Sequence, residues 1–140
     1  MASVRREVII DRPVDVVWQQ IGGDPTALGG WFPGVVSVRL DEAAERPTRI
    51  IETRRGFPIP EEIVLNDSTI RRFQYRITAP MFRHHLATVD VIAVDDHRSM
   101  IVYGTDAEPA VFALVIGGAT GVAIDELKRQ LESTDPEGRN

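Results

Sequence analysis

PAVFALVIGGATGVAIDELKRQLES, residues 109–133, is the stretch on which the fold turns. Its leading proline suits the first turn of a helix. Read backwards, Leu131, Leu127, Ile124, Thr120, Ile116 and Phe112 trace one face at helical spacing. One long helix is therefore expected from Pro109 to about Ser133. Gly117, Gly118 and Gly121 interrupt its middle. Each glycine costs about 1 kcal/mol relative to alanine, so the three weaken the helix by roughly 3 kcal/mol. Close packing against a sheet offsets that loss, or space is held open for a ligand beneath the helix. The two are compatible if the helix hugs the sheet at one end and a cavity opens at the other. The apolar run Pro109 to Ile124 is sixteen residues long, bounded by Asp106, Glu108, Asp125 and Glu126. That falls short of the roughly 20 needed to span a bilayer, and it reads as a helix buried inside the domain.

Upstream of this helix the signals are all strand: 35–40, 49–54, 61–66, 70–78, 85–94 and 99–105. Turn chemistry separates them, as in Gly56-Phe57-Pro58, Asn66-Asp67-Ser68 and Asp95-Asp96-His97. Short loops between consecutive strands imply antiparallel neighbours. Further back, Val4 to Ile10 is a β-branched first strand, and Asp11-Arg12-Pro13 introduces a helix striped by Val14, Val17, Trp18 and Ile21. Gly22-Gly23 ends it, and Asp24-Pro25 starts a very short second helix that Gly29-Gly30 stops. The expected fold class is α+β, a curved seven-stranded antiparallel sheet wrapped around a long C-terminal helix, with two short helices between strands 1 and 2.

The 140 residues suffice for one domain, with about two-thirds of its surface buried. It is expected over 1–134, with 135–140 as a flexible tail. There are no cysteines, which removes thiolate metal sites, disulfides and thiol catalysis. A net charge of −5 disfavours non-specific binding to nucleic acid or anionic lipid. The N-terminus turns charged where a signal peptide needs an apolar run, so a cytoplasmic location is expected, without membrane insertion.

Alternation assigns the interior. Phe73, Tyr75 and Ile77 share one face opposite Arg72, Gln74 and Arg76; His85, Ala87, Val89 and Val91 share another. In the fourth strand Glu61, Ile63 and Leu65 fall together. Glu61 and His85 thus lie on otherwise apolar faces. An unpaired buried charge costs several kcal/mol, so each either reaches solvent at a strand end or meets a partner, water or a ligand. The three histidines, His84, His85 and His97, form no cluster at ligand spacing, and no metal or other cofactor is expected. Gly117-Gly118-Ala119-Thr120-Gly121 lacks the lysine and the preceding strand of a phosphate loop and reads as packed helix. Arg54-Arg55 and Arg71-Arg72 read as solvated surface.

Val14-Asp15-Val16-Val17-Trp18 after Arg12-Pro13, then Trp31-Phe32-Pro33-Gly34-Val35, Gly56, Glu61-Glu62-Ile63, Asp67, Tyr75-Arg76-Ile77, and Tyr103 with Pro109 form an ordered set. The set resembles the SRPBCC superfamily, the START-like or helix-grip proteins, especially the polyketide cyclase/dehydrase-like bacterial branch. The resemblance runs from about Val4 to Leu131. It implies a cavity for apolar or amphipathic molecules (lipids, polyketides, aromatics) between sheet and long helix. Carried over by position, it puts Glu61, Tyr75, Ile77, His85 and Ala87 on the wall, Phe57-Pro58 at a gate loop and Arg83-His84 at a second loop of the mouth. With the alternation, the expected ligand-binding set also includes Trp31, Ile63, Phe73, Phe112, Ile116 and Thr120.

Three functions follow. The leading expectation is a binding protein for a small hydrophobic ligand, monomeric or homodimeric, with aromatic lining by Trp31, Tyr75 and Phe112 and with Glu61 and His85 orienting one polar end. The second is a cofactor-free cyclase/dehydratase using Glu61, His85 and Tyr75 as proton donors and acceptors, since burial raises a glutamate pKa and lowers a histidine pKa. The third is a non-catalytic protein-interaction module.

Overall fold

The structure, a computed structural model, describes residues 1–134; the expected tail at 135–140 lies outside the described residues. Seven antiparallel strands form one sheet: β1 (Ala2–Ile10), β2 (Val35–Asp41), β3 (Thr48–Thr53), β4 (Pro58–Asp67), β5 (Arg72–Ile77), β6 (His84–Ala93) and β7 (Ser99–Glu108). Their order is β1-β7-β6-β5-β4-β3-β2, so every neighbour but β1 is reached by a direct hairpin. Between β1 and β2 the chain runs through α1 (Val14–Trp18), a π turn at Gln19–Gly23 and a 3-10 turn at Ala27–Gly30. The long helix α2 (Ala110–Glu132) closes the chain. The seven strands, the two short helical segments and the long helix follow the expected order.

Alternation sets the interior on β5, β6 and β7, where Phe73, Tyr75, Ala87, Val89, Ile101 and Tyr103 are buried. On β4 it breaks. A bulge at Val64 shifts the register, so that Ile63 faces Tyr75 while Leu65 pairs with Gln74 and Asn66 with Phe73. Leu65 therefore leaves the inward face expected of it, and the amide of Asn66 takes its place, donating to the carbonyl of Gly22 at 2.9 Å. The extra residue of a bulge reverses the facing of everything beyond it.

The helix α2 lies on β1 and β7. Two of its glycines make that close approach possible. A Cβ built on Gly117 would stand 2.4 Å from Val4 Cγ1, and one on Gly121 would stand 3.2 Å from Arg6 Cδ. Arg6 Nε donates to the Gly117 carbonyl at 3.1 Å. Gly118 points the other way, into open space. The whole helix is long and apolar enough to cross a membrane by length and composition alone. Its inner face is core, with Ala113, Ala123, Ile124 and Leu127 buried, but Val111, Leu114, Val115 and Val122 remain more than half exposed. The helix expected to be buried inside the domain is a core helix along one stripe, the face that meets the sheet.

Candidate functional site

Because α2 lies on β1 and β7, it covers the opposite part of the sheet's concave face only in part. There a cleft of about 470 Å³ opens between β3, β4 and β5 on one side and the middle of α2 on the other. Its floor is Ile51, Ile59, Glu61, Tyr75 and Ile77; its roof is Val115, Ile116, Ala119 and Thr120. Phe32 to Val35 and the Arg54–Phe57 turn edge the mouth. The lining is almost wholly apolar.

The exception is the floor. Arg49 and Glu61 face each other across the β3–β4 pair, and Arg49 Nε donates to Glu61 Oε1 at 2.7 Å. Arg49 also donates to the Pro25 carbonyl at 2.9 Å, and its guanidinium lies 5.0 Å from the Phe73 ring centre and 4.7 Å from that of Tyr75. Burial works against the Arg49 charge, yet the Glu61 carboxylate overrides it and holds the guanidinium above its ordinary value. Burial pushes the Glu61 carboxyl up, and Arg49 pulls it back. The pair is ionic at neutral pH, because a guanidinium keeps its proton in this range and a charge-assisted bond of this length favours the carboxylate. Arg49, its side chain 2% exposed, does not line the cleft, and it meets the opening only through Glu61.

Tyr75 closes the rest of the floor. Its hydroxyl is hydrogen-bonded to that of Tyr103, the two rings meeting edge-on. Burial raises both phenols far out of reach of neutral titration. His85 lies behind Tyr75 and under Phe82, whose ring centre is 5.2 Å from the imidazole. Its Nδ1 accepts from the Ile77 N–H at 2.9 Å, so the neutral ring carries its proton on Nε2, an atom buried without a partner. Burial lowers the His85 pKa to about 4.

Of the residues singled out in the sequence, the structure brings Phe57, Glu61, Tyr75, Ile77, Ile116 and Thr120 to the cleft. The others lie elsewhere, each for a packing reason. Trp31 is held in the filled part of the core, its indole N–H donating to the Gln20 carbonyl at 3.2 Å. Phe73 packs there too, and Ala87 is fully buried behind the floor. Ile63 lies beyond Glu61 toward the bulge. Phe112 turns onto Phe82, with ring centres 4.9 Å apart, and His85 packs against the Tyr75 and Phe82 rings. The aromatic lining therefore reduces to Phe32, Phe57 and Tyr75. Arg49 is the residue sequence reasoning missed. Its alternation with the buried Ile51 on one strand is the signal that would have found it. Among the described residues no group of three or more histidine, aspartate or glutamate side chains is placed to hold a metal ion.

A family model described as polyketide cyclase / dehydrase and lipid transport matches residues 1–134. No curated protein matches the sequence. Solved structures are similar throughout. One is an uncharacterised protein from Bacillus thuringiensis, at 22% identity and a TM-score of 0.78, covering 91% of this chain and 97% of that one. A START superfamily protein from Mycobacterium smegmatis, 9% identical, has a TM-score of 0.74 and coverages of 93% and 97%. The Zhui aromatase/cyclase from Streptomyces sp. R1128, 18% identical, has a TM-score of 0.68 and coverages of 91% and 94%. At these identities the likeness establishes the fold.

Proposed function

The chain belongs to the polyketide cyclase/dehydrase and lipid transport family, and we propose that it binds an apolar or amphipathic small molecule (a lipid, a polyketide or an aromatic compound) in the cleft under α2. The observation that carries this reading is an apolar cleft of about 470 Å³ with one carboxylate in its floor. Small-molecule sites commonly have volumes of about 300–1,000 Å³ and pair apolar walls with a few placed polar groups. Glu61 keeps 9% of its side chain exposed, and that remainder belongs to the cleft lining. A carboxylate only accepts hydrogen bonds, so the ligand's polar end carries a donor, such as a hydroxyl or an amide N–H.

The same geometry favours binding over acid–base catalysis of a cyclase or dehydratase kind. Glu61 is neutralised by Arg49, Tyr75 is locked to Tyr103, and His85 is turned away from the cleft with Nδ1 already occupied. None of the three is poised to move a proton at a bound substrate.

Native mass spectrometry and thermal shift against fatty acids, phospholipids and aromatic polyketides test the reading. A bound mass and a raised Tm are expected; at a hundredfold excess over Kd the stabilisation is about 2.7 kcal/mol. Glu61→Gln keeps an acceptor for Arg49 but loses the charge. It should weaken a hydroxyl-bearing ligand about tenfold and leave its deoxy analogue unaffected, since a hydrogen bond to a charged group is worth about 1.5–3 kcal/mol. No adduct and no stabilisation across the panel overturns the reading.

A further inference from the structure

Three charged residues line the cleft, and they stand at its two ends. Glu61 is in the floor, its charge answered by Arg49. Arg54 and Arg55 stand at the mouth, on the turn from β3 to β4, and form no ion pair among the described residues. That turn is held in place. The Arg54 N–H donates to the Gly34 carbonyl at 3.0 Å, which ties it to the Phe32–Val35 lip. Within the turn the Gly56 N–H donates to the Thr53 carbonyl at 2.9 Å. Glu52, the acid nearest in sequence, follows the inward-facing Ile51 and so points to the outer side of the sheet. A chain of net charge −5 thus keeps two uncompensated arginines at the opening of its apolar cleft.

Hairpin register sets the span between the two ends. Glu61 lies opposite Arg49, and Arg54 follows Arg49 by five residues along β3, a run of about 16 Å at the rise of a strand. An extended chain gains about 1.2 Å per bond, so about thirteen bonds cover that run. Between the ends the walls are mainly aliphatic, with Ile51, Ile59 and Ile77 below and Val115 and Ile116 above.

We propose that the ligand of this cleft is an ω-hydroxy fatty acid of about twelve carbons, its hydroxyl donating to Glu61 and its carboxylate meeting Arg54 and Arg55. This names the ligand class of the site proposed above and rests on that reading. The hydroxyl supplies the donor that an acceptor-only carboxylate needs, and the acid stays at the wet mouth, where its charge is not desolvated. A shorter chain cannot reach both ends. A longer one must fold back or carry its acid past the arginines.

Isothermal titration at pH 7 tests this with 12-hydroxydodecanoate, dodecanoate, 1,12-dodecanediol, 8-hydroxyoctanoate and 16-hydroxyhexadecanoate, each below its aggregation concentration. The diol keeps the length and the inner hydroxyl but lacks the charge, and it should bind about fivefold more weakly than 12-hydroxydodecanoate, as expected of two exposed ion pairs. Arg54→Ser/Arg55→Ser should erase that difference and leave the affinity for the diol unchanged. About 1 M salt, which shortens the screening length to about 3 Å, should erase it too. Both arginines are exposed, and an unchanged circular dichroism spectrum checks that the variant folds. Dodecanoate should bind about tenfold more weakly than its hydroxy acid, a difference that Glu61→Gln removes. Burial of hydrocarbon alone makes every added methylene tighten binding, so a sixteen-carbon acid weaker than the twelve-carbon one is the expected mark of a fixed span. Equal affinities for acid and diol, a double substitution that weakens both alike, or affinity that rises steadily with length overturns the proposal. In each of those cases the diol still binds, and the apolar cleft keeps its role. No binding of the acids or the diol overturns the cleft reading and this proposal together.

Discussion

Two halves of one interior meet at the Arg49–Glu61 pair and are built differently. On the Arg49 side, Trp18, Ile21, Leu28 and Trp31 from the helical segments after β1 pack on Phe73, Val89 and Tyr103, and only about 10 Å³ is left between them. On the Glu61 side, the same sheet leaves about 470 Å³. The strands are alike in the two halves; what differs is what covers them. Large aromatic and aliphatic side chains plug the first half, whereas α2 covers the second only obliquely, because Gly117 and Gly121 draw it onto β1. The cleft is thus a consequence of where the helix is pinned, and the ion pair spans the boundary between a dry core and an opening.

The largest expected effect separates the halves directly. Phe73→Ala should lower stability by about 3–5 kcal/mol, since the neighbours of a fully buried ring in a filled core cannot collapse into the space it leaves. Ile59→Ala, on the cleft floor, should lower it by about 1 kcal/mol, because its side chain already borders open volume and no new enclosed cavity forms. Urea unfolding at neutral pH measures both. Equal losses at the two positions would mean that the cleft closes in solution and that the two halves are not distinct.

How far the sequence anticipates this differs between levels. The strand order and the helix were legible because period-two and helical spacing are local, and Tyr75, Ile77, Ile116 and Thr120 followed from them. Three things were not local. The bulge at Val64 leaves no mark in the alternation of residues 61–66, so Leu65 was misfaced. The partner of Glu61 depends on hairpin register, which pairs it with Arg49 twelve residues away. The side of the sheet that ends up filled depends on where Trp31 and Phe112 finally pack, and the sequence offers no vote on that: one is drawn to Gln20, the other to Phe82.

A middle-sized effect tests how dry the wall between cleft and core is. The His85 pKa is lowered from 6.5 to about 4, so the neutral ring favours the folded state. The sign follows: the contribution is fully present above pH 6.5 and is lost as pH falls toward 4. His85 itself is 1% exposed, but it lies at a strand end next to the exposed His84, and solvent there screens part of the shift. About 2 kcal/mol is expected over that window. His85→Asn offers an acceptor to the Ile77 N–H and cannot ionise. Its stability should therefore fall by about 2 kcal/mol less than that of the parent between pH 7 and pH 4, measured by urea midpoints. Identical pH profiles would show that cleft water already reaches the imidazole.

The smallest effect bears on the cause of the asymmetry, the pinning of α2. Gly117 and Gly118 are neighbours on one helix, and propensity alone predicts the same gain of about 1 kcal/mol on changing either to alanine. Packing splits them. A Cβ at Gly118 meets nothing within 4 Å, so Gly118→Ala should stabilise by up to that amount. A Cβ at Gly117 would lie 2.4 Å from Val4 Cγ1 and 3.0 Å from Val4 Cβ, which the short valine side chain cannot relieve by turning. The overpacking costs about 1–3 kcal/mol and outweighs the propensity gain. Gly117→Ala should therefore be net destabilising, and the helix can relieve the clash only by lifting off β1 toward the cleft. That displacement should also weaken ligand binding, which Gly118→Ala leaves intact. If both substitutions stabilise equally, α2 is not held against β1 by its glycines, and the open half of the interior needs another cause.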